Sequence, residues 1–142
     1  MRRSRPGYGA ALLLILIVAA VLRFTGLDWD NGRYLHPDER FMVMVTVDTS
    51  WPESIGGYFD SETSPLNPYN TRHGTFVYGT FPLFVTKALS GLLGTDTYGQ
   101  AHLVGRALSA LADTGTVFLA AWIARRFFGN RAGLLAGFLI TF

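Results

Sequence analysis

HLVGRALSALADTGTVFLAAWI, residues 102–123, followed by Arg125, Arg126 and Arg131, is the stretch on which the fold turns. It is long enough to cross a bilayer, which takes roughly 20 apolar residues. The arginines that follow mark its far end as cytoplasmic. Working backwards, Gly9 to Leu22 carries no charge and follows the basic tip Met1-Arg2-Arg3-Ser4-Arg5, so it reads as a first span with its N-terminus inside. A secretory signal peptide shares that pattern, and Val18-Ala19-Ala20 offers a small-residue cleavage site, but apolar character resumes at Val21 and further membrane segments follow. The two spans agree on one topology: residues 23–101 outside, the Arg125–Arg131 turn inside, and a third span beginning near Ala132 and cut off at Phe142. The expected architecture is an all-α integral membrane protein of the plasma membrane. It has two complete transmembrane helices, at about 9–27 and 102–124, a truncated third at 132–142, and a long external loop at 28–101 with short amphipathic interfacial helices. The interrupted third run marks the chain as the N-terminal part of a longer multi-span protein.

Composition narrows the chemistry. The chain is 49% apolar and 14% aromatic, with a net charge of +2 and no cysteine. Disulfides, thiolate metal sites and cysteine nucleophiles are therefore excluded. No glycine-rich phosphate loop precedes a helix, and no basic patch with interleaved aromatics points to nucleic acid. Every acidic residue except Asp113 falls within 23–101, so the external stretch is acidic on balance.

Within that stretch, Asp28-Trp29-Asp30-Asn31-Gly32 reads as an interfacial tryptophan and a turn. His36-Pro37-Asp38-Glu39-Arg40-Phe41 reads as a helix start, with proline in the first turn and carboxylates beside the free N–H groups. Helical spacing from Asp38 reaches Phe41, Met42 and Val45, so Asp38 lies in line with an apolar stripe that would rest on the membrane surface. Glu39 points to another face. Plain helix-start grammar accounts for both carboxylates without chemistry. His36 reads as a helix cap or a loop contact, and His73 and His102 show no ligand spacing with it or with each other. Trp51 to Gly74 sustains no period. Pro82–Leu93 is a helix too short to span, with Lys87 extending its ammonium toward water.

In the second span, Gly105, Ser109, Ala112 and Thr116 form a small-residue face suited to close packing. Arg106 lies near its outer end, as interfacial anchors do. Asp113 falls near mid-membrane, where an unpaired charge costs about 2.5–3.5 kcal/mol, so it needs a partner or a proton.

Asp38-Glu39-Arg40-Phe41 in the first loop, Leu66-Asn67-Pro68-Tyr69, Val77-Tyr78-Gly79-Thr80-Phe81-Pro82, and Gly105-Arg106 in the span together resemble the GT-C membrane glycosyltransferases that use polyprenyl-phosphate donors. The protein O-mannosyltransferases and aminoarabinose transferases are the nearest by pattern. The resemblance implies transfer of a sugar from a polyprenyl-phosphate-linked donor to an acceptor hydroxyl on the outer face of the membrane. Asp38 would be the base and Glu39 its support, as a hydrogen-bond partner or metal ligand. Arg40 and Arg106 would be the groups for the leaving phosphate. It implies no organic cofactor and leaves a divalent metal open, with no metal ligands assigned. The acceptor is unspecified among protein, lipid and glycan. The aromatics around Tyr78 read as an interfacial belt. The rival reading is a non-catalytic anchor or subunit whose external loop binds a partner.

Overall fold

A computed structural model describes residues 7–142. The arginines at positions 2, 3 and 5, on which the cytoplasmic placement of the N-terminus rests, lie outside the described residues. The described chain is all helical. In order come α1 (Tyr8–Phe24), α2 (Pro37–Asp48), α3 (Ile55–Phe59), a 3₁₀ turn (Pro68–Asn70), α4 (Thr80–Leu93), α5 (Ala101–Phe128) and α6 (Asn130–Thr141). Among the described residues two compact units form, one from α1 and the chain up to Leu27 with residues 107–142, the other from residues 28–106.

In the first unit, α5 is the one described helix that is both long and apolar enough to cross a membrane, at 28 residues. It starts one residue before the expected span and runs four residues past it. The expected pair of complete spans is reduced to one. α1 has only 17 residues, because Thr25 turns extended and the chain leaves the helix. At 1.5 Å per residue that is about 26 Å, short of a hydrocarbon core of about 30 Å. α6 begins two residues earlier than expected, directly after Gly129, whose φ of 91° suits glycine. The tight α5–α6 connection is consolidated by an Arg125 Nε bond to Asn130 Oδ1 (3.1 Å) and by the Arg125 guanidinium lying 4.2 Å from the Tyr8 ring centre.

Glycines set how closely these helices approach. A Cβ on Gly133 would stand 2.8 Å from the Ala121 carbonyl oxygen and 2.8 Å from Arg125 Cβ, and one on Gly137 would stand 3.2 Å from Ala121 Cβ. The buried side of α5 is Ala110, Val117 and Ala121, spaced by seven and four residues. The small-residue face expected to pack stays open against the described residues: Ser109, Ala112 and Thr116 are exposed, while a Cβ on Gly105 would stand 3.9 Å from Thr86.

Asp113 finds its partner in Arg23 of α1, whose Nε bonds its carboxylate. Arg23 also donates to the carbonyls of Ala19 (3.3 Å), Thr141 (3.1 Å) and Ile140 (2.9 Å).

In the second unit, the turn at 28–32 forms as read, with Asn31 (φ 51°) and Gly32 (φ 68°) both left-handed and the Gly32 N–H donating to Asp28 Oδ1 at 3.0 Å. α2 begins at Pro37 with His36 at the N-cap position, but the His36 side chain makes no capping bond. The apolar stripe of α2 meets protein, not a membrane surface. Phe41, Met42 and Val45 pack with Phe76, Tyr78, Leu83 and Phe84, joining α2 to α4 and the segment before it. α4 starts at Thr80, so Pro82 falls inside its first turn, where its missing N–H costs nothing. Lys87 does not reach for water; it is buried and bonds Asp96 Oδ2 at 2.6 Å.

The stretch from 51 to 74, which shows no sequence period, is held by local polar contacts. Ser54 Oγ accepts from Gly57 N–H, Asp60 accepts from Glu62 and Thr63, and the Asn67 and Asn70 amides donate to the Ser61 carbonyl. Asp48 then ties the segment to α2, bonding Arg72 Nε and His73 Nε2, each at 2.7 Å.

Candidate functional site

The two adjacent carboxylates at the start of α2 part company. Asp38 is exposed and lies on the Phe41 side of the helix, beside the Tyr78 hydroxyl. The negative charge beside that hydroxyl, aided by burial, pushes the Tyr78 phenol up. Tyr78 is itself set by contacts with Phe41 (6.1 Å between centroids) and Phe76 (5.8 Å). Asp38 makes no ion pair among the described residues.

Glu39 faces α5. Arg106 grips it with two parallel bonds, Nε to Oε1 at 2.5 Å and Nη2 to Oε2 at 2.6 Å, the fork geometry that makes arginine–carboxylate pairs strong. The same Nη2 reaches Asp30 Oδ1 at 3.0 Å, and the guanidinium lies 5.6 Å from the Trp29 ring centre. Two carboxylates thus share one guanidinium. Burial works to raise the Asp30 carboxyl, but the Leu35 N–H and the Arg106 guanidinium outweigh it and hold that carboxyl below its ordinary value. Arg40, by contrast, is exposed and forms no ion pair among the described residues.

Next to this network, Tyr34 is buried with a left-handed backbone, φ 53°, uncommon for a bulky residue. Its hydroxyl lies 3.2 Å from His102 Nδ1 and its ring 4.5 Å from that of Tyr98. Burial, then the neighbouring Tyr98 and Glu39, push its phenol up to about 12. His102 Nε2 faces Asp28 Oδ1 at 3.5 Å.

Of the residues singled out from sequence, Glu39 and Arg106 are brought together, Asp38 stands on another face beside Tyr78, and Arg40 stands free in solvent. Asp30, Tyr34, Tyr78 and His102 complete the arrangement without having been given a role in the site: Tyr78 reads as an interfacial aromatic in the sequence, and His102 lacks ligand spacing there. Asp28-x-Asp30 sits in a turn where acidic residues are ordinary, and His102 lies more than seventy residues further along the chain. A shallow apolar groove beside α3, lined by Trp51, Pro52, Ile55, Tyr58 and Phe59, shares none of these residues.

The chain matches no protein-family profile, no curated protein and no solved structure.

Proposed function

We propose that this chain forms part of a multi-span membrane glycosyltransferase of the GT-C kind, acting on a polyprenyl-phosphate-linked sugar at the outer face of the plasma membrane. The observation that carries the reading is the state of Asp38: a solvent-facing carboxylate at a helix start, without an ion-pair partner among the described residues and beside the Tyr78 phenol. Such a group is available to take a proton. In the proposed reaction Asp38 removes the proton from an acceptor hydroxyl. That oxygen attacks the anomeric carbon, and the bond to the lipid phosphate breaks, with its electron pair leaving on the phosphate.

The leaving phosphate needs positive charge. Arg40 is exposed and suited to bidentate phosphate contact. Arg106 is engaged by Glu39 and Asp30, so a phosphate would have to displace a carboxylate to reach it. Arg106 is better placed to fix Glu39, and through it the start of α2.

The accompanying topology places the N-terminus in the cytoplasm and residues 28–101 outside, with α1 crossing alongside α5. Leu13, Leu14, Ile17 and Val21 support a lipid-facing α1, since all four are at least half exposed on one side of it. Local bilayer thinning accommodates a helix a few residues short. Donor and acceptor contacts beyond this segment would come from the rest of the protein.

The test is transfer of a labelled sugar from a polyprenyl-phosphate donor by the full-length protein in membranes. Asp38→Asn should lower the rate by about 10²–10⁴-fold, the usual worth of general base catalysis, while the protein stays inserted. An Asp38→Asn enzyme as active as the parent would remove Asp38 from the chemistry.

A further inference from the structure

Asp28, Asp30 and His102 each bring one ligand atom within 4.8 Å of the other two. We infer that they form a binding site for a divalent transition-metal ion of the zinc or manganese kind. The inference stands apart from sugar transfer, because it rests on this cluster alone.

The donor set comes first. Two carboxylate oxygens and one imidazole nitrogen suit zinc and manganese, whereas calcium and magnesium sites are built from oxygens alone.

The imidazole supplies a separate observation. The His102 side chain is 2% exposed, and its Nδ1 is engaged by the Tyr34 hydroxyl. Its buried Nε2 therefore points at the carboxylates, but the nearest, Asp28 Oδ1, is 3.5 Å away. That is long for an N–H···O bond, which runs about 2.7–3.2 Å. It is close to the edge of a tetrahedron with metal–ligand bonds of about 2.1 Å, while the Asp30 oxygen stands further off, within 4.8 Å, and would close in on an ion. A ring nitrogen fixed from behind by a hydroxyl, with its other nitrogen presented forward, is the arrangement that orients ligating histidines.

Charge points the same way. Asp28, Asp30 and Glu39 are three carboxylates, and Arg106 is the guanidinium that pairs with Asp30 and Glu39. Three carboxylates against one guanidinium leave a surplus of two negative charges, with the fully buried Asp30 sharing Arg106 with Glu39. A divalent ion would balance that surplus. Arg106 and the Leu35 N–H each use one lone pair of Asp30, which leaves its carboxylate able to accept a third partner. The Asp28 side chain is 52% exposed and gives the ion an entry path.

The experiment uses full-length protein in detergent, stripped with a chelator and titrated with Co²⁺ alone, read by visible absorption and by metal content. One Co²⁺ per chain should bind, with the intense visible bands of a tetrahedral site, and Zn²⁺ should bleach them. Asp28→Asn, which changes a half-exposed side chain, and His102→Gln should each weaken binding at least about 10-fold, and Tyr34→Phe should weaken it by about 10-fold as an orienting partner. Circular dichroism checks that each variant keeps its helix content. Should His102→Gln fail to fold, Asp28→Asn decides. No stoichiometric uptake by folded parent protein, or uptake unchanged in Asp28→Asn, would overturn the site.

Discussion

The Asp38 carboxylate lies beside the Tyr78 hydroxyl, where α2 meets the segment leading into α4, and holds that phenol above its ordinary value. A phenol beside a carboxylate resists ionisation, because losing its proton would set two negative charges side by side. Asp38→Asn removes that charge, so the Tyr78 phenol should ionise at lower pH, moving toward its ordinary value. Ultraviolet difference titration of the phenolate band, with Tyr78→Phe identifying the signal, reads the shift. An unmoved titration would separate the two groups.

Arg106 is the cation on which two carboxylates depend, and its side chain is only 11% exposed. Arg106→Ala should destabilise the protein by about 3 kcal/mol, since removing one partner of a buried pair strands the other. Arg106→Lys should rescue only in part, because an ammonium cannot supply the paired bonds to Glu39. Thermal unfolding in detergent measures both.

Asp30 makes part of that stability depend on acid. Its carboxyl is held below the ordinary value in the folded protein, so the unfolded chain takes up the proton first as pH falls. The contribution is therefore fully present above the unfolded carboxylate range, near pH 4, and is lost as pH falls through the lower folded value. Asp30→Asn should flatten the acid limb of the unfolding midpoint plotted against pH. A limb identical to that of the parent protein would assign the acid sensitivity elsewhere.

Gly133 has no room for a methyl group. Gly133→Ala should cost about 1–3 kcal/mol through the forced parting of α5 and α6. Gly115→Ala in α5, where a Cβ meets nothing within 4 Å, should instead be neutral or stabilise by up to about 1 kcal/mol. Comparing the two unfolding midpoints checks the helix contact directly. Equal effects would mean that α6 does not approach α5 this closely.

The Lys87–Asp96 bond should also prove sensitive. Lys87 is 6% exposed at its side chain, so Asp96→Asn leaves an ammonium without its counter-charge in a poorly hydrated place. A loss of about 3 kcal/mol is expected, with Lys87→Met in the same chain restoring part of it. A double variant no more stable than Asp96→Asn would argue against a stranded charge.

Local signals were sound guides to where helices lie. Pro37 with two acidic neighbours marked the start of α2, and Asn31-Gly32 marked its turn, because both effects act within a few residues. The need of Asp113 for a partner was equally legible, since it follows from the cost of a bare charge. The partner was not: Arg23 is brought to it by packing. Periodicity also showed that Phe41, Met42 and Val45 share a face, but a greasy stripe looks the same whether it meets lipid or Leu83 and Phe76. Lys87 was misjudged for the same reason, since its burial depends on Asp96 beyond the end of its own helix. Of the candidate site, the separate faces of Asp38 and Glu39 followed from helix geometry alone. The gathering of Asp28, Asp30, Tyr34 and His102 needs the turn, α2 and the start of α5 to be in place together.

Arg23 and Asp113 are 90 residues apart in sequence, and two of the three carbonyls that Arg23 also holds, those of Ile140 and Thr141, are later still. During synthesis the arginine therefore emerges long before anything exists to neutralise it. Until α5 follows, the guanidinium at the end of α1 lacks the carboxylate it pairs with in the folded chain. A chain interrupted before α5 would leave that charge unmatched.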